Sequence, residues 1–228
     1  MLLKRRYSRL HNKRILIMIN GWGCPTWLFR FIKNILPKNC GYLEYHYDKK
    51  EICSEPKFLQ DKITRIVNRI KKDVKTLNKF KEREFFMYTL SLGSIMGMIV
   101  ADCVKIKKAA MIIPIHDLAE VFWNLKRDDT KEVKQYFVRN KFDLVKLKKL
   151  WSPFSFNNWF KKNSLKTKFL FRLAEKDDIL KPNFKKKFFL LMKKRKVNFV
   201  VQEKKTTHKW FGFFNIVFPK KTIKFLLS

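Results

Sequence analysis

Six short apolar runs, spaced along the chain by longer segments of mixed polarity, limit its fold more than any other feature. They lie at 14–19 (R-I-L-I-M-I), 42–47, 84–90 (E-F-F-M-Y-T-L), 109–115 (A-A-M-I-I-P-I), 168–173 (K-F-L-F-R-L) and 197–202. Several are apolar at consecutive positions, the pattern of a strand covered on both faces. The segments between them read as helices. From 57 to 77 the apolar residues Leu59, Ile63, Ile66, Val67, Ile70, Val74 and Leu77 make one helical stripe. Residues 26–36 form a second candidate, with Pro25 at its start and Pro37 past its end. Residues 92–104, 184–193 and the C-terminal segment, interrupted at Pro219, complete the set. Strands alternating with helices predict an α/β fold: a mostly parallel sheet of about six strands with helices on both faces.

The interval 117–167 breaks this rhythm. It offers no apolar strand, and it is basic and rich in aromatics, among them Phe122, Trp123, Tyr136, Phe137, Trp151, Phe154 and Trp159. It reads as an insertion, a small helical cap over one edge of the sheet, whose rings would wall an apolar pocket. The core is then residues 1–116 and 168–228. A chain of 228 residues is long enough for one such domain with a sizeable interior.

The charge is extreme, 53 Lys+Arg against 19 Asp+Glu, for a net +34. Such a field attracts anions: nucleic acid, anionic lipid or an acidic protein. The basic residues are spread along the whole chain, and a chain rich in Lys, Phe, Asn and Ile carries this bias through composition alone. No helix-turn-helix, zinc finger or RNP-like aromatic motif accompanies the charge. The cysteines, Cys24, Cys40, Cys53 and Cys103, form no C-x-x-C and no zinc spacing, so no metal or cofactor is expected and reduced thiols in a cytoplasm are the simplest reading. The run 15–19 is too short for a signal-peptide core, and the uncharged run 85–101 falls short of a membrane span.

Glycine is scarce, and its placement is therefore informative. Four of the six fall in two places: Gly21 and Gly23 after the first run, Gly93 and Gly97 after the run ending at Leu90. The second place reads strand, Ser91, helix. A serine on a sharp strand-to-helix turn is the arrangement of a nucleophile elbow, which requires small neighbours. A serine capping the helix 92–104 would read the same way. In T-L-S-L-G the first Gly of G-x-S-x-G is replaced by Thr89, which brings a β-branched side chain to a tight turn.

Four motifs in order, N-G-W-G (20–23), T-L-S-L-G-S (89–94), E-K-D-D-I-L-K-P (175–182) and T-T-H-K-W-F (206–211), resemble the α/β-hydrolase superfamily from Arg14 to the C-terminus. The resemblance implies an α/β-hydrolase fold and a serine esterase or thioesterase. Ser91 would be the nucleophile. Asp177 falls at the acid position, with Ala174 and Leu180 at the family's Gly and Val. Pro182 comes one residue late, which leaves Asp178 as the alternative. Of the four histidines only His208 follows Asp177, which makes it the base. The backbone N–H groups of Leu92 and Trp22 would form the oxyanion hole. So little sequence precedes Arg14 that the family's first two strands would be missing. Within the superfamily, G-W-G, S-L-G and H-K-W-F look most like the esterases of biotin synthesis that cleave pimeloyl-acyl-carrier-protein methyl ester. That resemblance implies a small acyl substrate and an acidic acyl carrier protein as partner. Two other classes compete: a binding protein on a hydrolase scaffold that has lost activity, and a basic protein of nucleic acid or membrane surfaces.

Overall fold

The computed structural model describes residues 4–21, 24–47, 55–115, 117–124, 128–158, 164–177 and 182–228. The elements follow as β1 (Lys4–Ser8), β2 (Arg14–Ile19), a 3-10 turn (Thr26–Phe29) running into α1 (Arg30–Asn34), β3 (Cys40–His46), α2 (Pro56–Phe80), β4 (Glu84–Leu90) and α3 (Gly93–Cys103). Then come β5 (Lys108–Ile112), α4 (Leu118–Asn124), α5 (Asp128–Arg139), α6 (Leu144–Leu150), β6 (Lys168–Lys176), α7 (Pro182–Lys194), β7 (Phe199–Thr207), α8 (His208–Val217) and α9 (Lys220–Leu227).

One seven-stranded sheet runs in the order β1-β3-β2-β4-β5-β6-β7. All neighbours are parallel except β1, which lies antiparallel on β3. Successive side chains of the strands face opposite sides. Ile15, Ile17, Phe85, Met87, Ala109, Met111, Phe169 and Phe171 meet α2, α3 and α7 on one face. Leu16, Met18, Phe86, Tyr88, Ala110 and Leu170 meet α1, α8 and α9 on the other. Both faces are covered, which explains why the central strands are apolar at consecutive positions. The chain has the α/β-hydrolase fold, with one strand more than expected. No helix of the described residues is long and apolar enough to cross a membrane.

Two expectations need correction. A sheet strand does precede Arg14: β1, K-R-R-Y-S, carries almost no apolar signal and is held by pairing and charge. The fourth apolar run does not extend to Ile115. Strand β5 ends at Ile112, because Ile113 turns left-handed (φ 45°) and Pro114 has no N–H for the ladder. Phe122, Phe137, Trp151 and Phe154 are buried against one another in the core shared with α2, and Trp151 Nε1 donates to the Pro56 carbonyl at 2.9 Å.

Asp73 of α2 ties the exposed edge to the body of the fold. Its carboxylate accepts from Arg5 Nη1 of β1 at 2.7 Å, from the buried Tyr45 hydroxyl of β3 at 2.8 Å and from Arg69 Nε at 3.3 Å. Asp73→Ala would leave the Tyr45 hydroxyl without this partner inside the core. It should destabilise the protein by about 1–3 kcal/mol in urea unfolding. Hydrogen exchange of the β1 amides should accelerate more than that of β4.

Candidate active site

Ser91 sits between strand and helix, in neither. It follows the last residue of β4 and precedes Leu92, the N-cap of α3. Its φ is +47°, a left-handed conformation that costs an L-residue roughly 1–3 kcal/mol. Hydrogen bonds hold it there. Ser91 N–H donates to the Ile112 carbonyl at 2.9 Å, and the Ser91 carbonyl accepts from Ser94 N at 2.9 Å and Ser94 Oγ at 2.5 Å. Ser94 Oγ in turn accepts from Ile115 N at 3.0 Å, so one hydroxyl links the elbow to the chain leaving β5. The role of Ser94 was not legible in the sequence.

The helix-capping alternative does not hold. No side chain caps α3, and Ser91 Oγ lies 3.2 Å from His208 Nε2. His208 is the first residue of α8, directly after β7, and it is buried. Its Nδ1 meets Asp177 Oδ1 at 2.9 Å and Oδ2 at 3.1 Å. Asp177 is buried one residue past β6. Three residues from the C-terminal ends of β4, β6 and β7 thus form one chain: hydroxyl, imidazole, carboxylate. An Nδ1–H donated to Asp177 leaves Nε2 free to accept the Ser91 proton. The alternative acid, Asp178, lies outside the described residues.

Close backbone approach explains the glycines. A Cβ on Gly93 would stand 2.4 Å from the Asn20 carbonyl oxygen and 2.7 Å from that of Ile19. The first turn of α3 therefore lies directly on the end of β2. A Cβ on Gly21 would stand 3.1 Å from Ser91 Cβ, so the loop after β2 passes beside the serine. The buried Tyr47 hydroxyl donates to the Asn20 carbonyl at 2.9 Å and fixes the peptide that enters this loop. Leu92 N–H, at the N-terminus of α3, has no hydrogen-bond partner among the described residues and is available to an anion. Trp22, the other expected donor, lies outside the described residues.

Thr89 is accommodated by the second glycine of the elbow. A Cβ on Gly97 would stand 2.5 Å from Thr89 Cγ2 and 2.8 Å from Met87 Sδ. The bulk added two residues before the serine fits because a turn of the facing helix has none. Thr89 Oγ1 donates to Met111 Sδ at 2.8 Å, so the hydroxyl is not stranded.

A second polar group stands behind the loop after β2. Glu44, fully buried on β3, accepts from Lys33 Nζ at 2.9 Å and hydrogen-bonds His46 Nε2. Burial by itself would raise the Glu44 carboxyl, but the hydrogen bonds from His46 and Lys33 outweigh it and hold the group below the usual carboxylate range. Asn20 follows β2 beside this strand, with Asn20 N–H 3.4 Å from the Tyr45 carbonyl.

Among the described residues, no His, Cys, Asp or Glu group has the arrangement of a metal site. Two surface cavities of about 500 and 450 Å³ flank α7, lined by residues such as Lys185 and Phe189 or Glu120 and Phe184. Neither is lined by Ser91 or His208.

No protein-family model and no curated protein matches the chain in sequence. Solved structures match it in fold. An esterase from Pyrococcus furiosus, Pf2001, superposes with a TM-score of 0.62 at 14% identity over 97% of this chain and 82% of its own. BioG from Haemophilus influenzae gives 0.50 at 14% identity, over 94% of this chain and 97% of its own. The Glycosylation Associate Protein (Gap123) complex from Streptococcus agalactiae gives 0.61 at 14% identity; 97% of this chain is covered, but it spans only 42% of that longer one.

Two measurements test this geometry. Gly97→Ala should cost about 1–3 kcal/mol by thermal or urea melt, the range for an overpacked core. Thr89→Ser, which removes the opposing methyl, should recover much of that in the double variant; additive losses would mean the two positions are uncoupled. The second concerns pH. A carboxyl held low in the folded state contributes stability that is full above its unfolded value and disappears as pH falls through the folded one. Unfolding free energy measured from neutral to acid pH should therefore fall less steeply below the ordinary carboxylate range in Glu44→Gln than in the parent.

Proposed function

We propose that this protein is a serine hydrolase of carboxylic esters or thioesters. The observation that carries the reading is the continuous hydrogen-bonded line from the left-handed Ser91 through His208 to buried Asp177. His208 Nε2 takes the Ser91 hydroxyl proton as Oγ attacks the acyl carbon. The carbonyl oxygen gains the charge, and Leu92 N–H, with Trp22 N–H as the second donor, stabilises it. Asp177 keeps Nδ1 protonated and stabilises the imidazolium. The proton then passes from Nε2 to the departing alkoxide or thiolate, the acyl–leaving-group bond breaks, and the acyl chain remains on Ser91. Water repeats the sequence: His208 takes its proton, the hydroxide attacks the acyl carbon, and Ser91 Oγ leaves with the proton returned by His208.

In this reading the helices between β5 and β6 are a cap built into the core, not a free lid, and the setting is cytoplasmic, consistent with free Cys24, Cys40 and Cys103. A finer reading names an acyl-carrier-protein-linked methyl ester of biotin synthesis as the substrate. The motifs G-W-G, S-L-G and H-K-W-F support it, and a net charge of +34 would steer an acidic carrier.

A fluorophosphonate probe should label the parent and not Ser91→Ala. A panel of short esters, thioesters and acyl-carrier-protein methyl esters should show turnover that falls on the order of 10³-fold or more in Ser91→Ala and His208→Ala. An unlabelled parent, or a Ser91→Ala variant that labels equally, would assign the scaffold to binding rather than catalysis. Turnover of free esters with no preference for the carrier-borne ones would remove the finer reading alone.

A further inference from the structure

Helix α8 is apolar on both sides. Its inner face, Phe211, Gly212 and Ile216, packs on the sheet beneath His208. Its outer face carries Trp210, Phe213 and Phe214, and Phe218 follows at its C-cap; they are exposed by 56, 40, 41 and 67%. These rings form one continuous patch: Trp210 lies 6.1 Å from both Phe213 and Phe214, and Phe214 stacks with Phe218 at 6.3 Å. Soluble surfaces scatter their exposed rings; a contiguous group of four along one helix and its C-cap indicates a partner. The neighbouring 3-10 turn and α1 pack against α8 and add Trp27, 49% exposed, with Arg30 over its ring at 5.4 Å.

The rim of the patch selects among partners. Lys204 Nζ lies 5.5 Å from the Phe214 ring centre, and Lys205, Lys209 and Lys220 are exposed in the adjoining sequence. A second copy would bring the same basic rim and another +34 charge against it. An acidic protein would satisfy the lysines, but it would need an apolar face of matching shape beside its carboxylates to cover the rings. An anionic bilayer satisfies both: headgroups for the lysines and an acyl boundary for rings that sit at such interfaces.

We infer that the outer face of α8, with Trp27 beside it, is a docking surface for anionic phospholipid bilayers. The surface needs no chemistry at Ser91. Because α8 begins at His208, docking would bring acyl chains held in the bilayer close to the proposed nucleophile, a consequence that rests on the proposed function while the docking itself does not.

The test is sedimentation of the full-length protein with vesicles of phosphatidylcholine alone or mixed with phosphatidylglycerol. The parent and Ser91→Ala should bind the anionic vesicles equally and the neutral ones weakly. The combined variant Trp210→Ala, Phe213→Ala, Phe214→Ala, Phe218→Ala should lose about tenfold or more in partition, as should Lys204→Glu with Lys209→Glu. Should the ring variant fail to fold, brominated phosphatidylglycerol vesicles should quench the parent's tryptophan emission, and less so in Trp210→Phe. Absence of binding to anionic vesicles overturns the inference. So does a folded ring variant that binds like the parent, quenching unchanged by Trp210→Phe, or a patch whose rings instead mediate self-association or carrier-protein binding with no vesicle binding. Failure of Ser91 labelling with vesicle binding intact would remove the proposed function and leave the docking surface standing.

Discussion

The left-handed turn at Ser91 is the constraint around which the rest of the molecule is arranged. A strand buried on both faces must hand over to a helix within two residues, Ser91 and Leu92, and the helix must then lie directly on the neighbouring strand. A φ of +47° achieves the reversal but is unfavourable for a serine. The surroundings over-determine it. The Ile112 carbonyl takes its N–H, Ser94 takes its carbonyl twice, and Gly93 lets α3 come to rest on the Asn20 and Ile19 carbonyls. The strain leaves the hydroxyl at the front of the sheet, where His208 reaches it. An ordinary N-cap would have turned the same hydroxyl into the first turn of α3.

This explains which parts of the site were legible in sequence. Glycine in a chain that otherwise avoids it marks places where a side chain cannot fit, and both sites marked in this way lie beside the serine. Positional order then isolates His208, because no other histidine follows the last carboxylate loop. Asp177 was different. Two adjacent aspartates in a polar loop carry no local signal that separates them, and only resemblance to a family chose between them. Its burial against the imidazole is a product of sheet geometry: β6 and β7 lie side by side, and the residues just past their ends meet. The fit of Thr89 was likewise beyond local reading, because its compensation sits at Gly97, across the strand–helix interface.

Edge and surface elements were the least legible, for a common reason. Hydrophobic periodicity reports burial, and β1 is held by main-chain pairing and the Arg5–Asp73 contact with little burial of its own. The converse error affects rings. Phe122, Phe137 and Trp151 are core, whereas Trp210, Phe213 and Phe214 are exposed, yet all six sit in helical segments with the same aromatic character. Composition cannot distinguish a ring that packs inward from one that waits for a partner. Only the placement of α8, already satisfied on its inner side by the sheet, separates the two.

That placement also joins the surroundings of Ser91 to the aromatic patch. Helix α8 has its first residue in the hydrogen-bonded line to Ser91 and its outer side in the aromatic patch. The inner face anchors it through Phe211 and Ile216, and Asn215 Nδ2 is spent on the Phe211 carbonyl within the helix. Tyr88, fully buried on β4, donates to the Asn215 carbonyl at 3.1 Å and so ties α8 to the strand that ends beside Ser91. The outer rings lie outside this anchoring, and four adjoining rings on a solvent-facing surface call for a partner outside the fold.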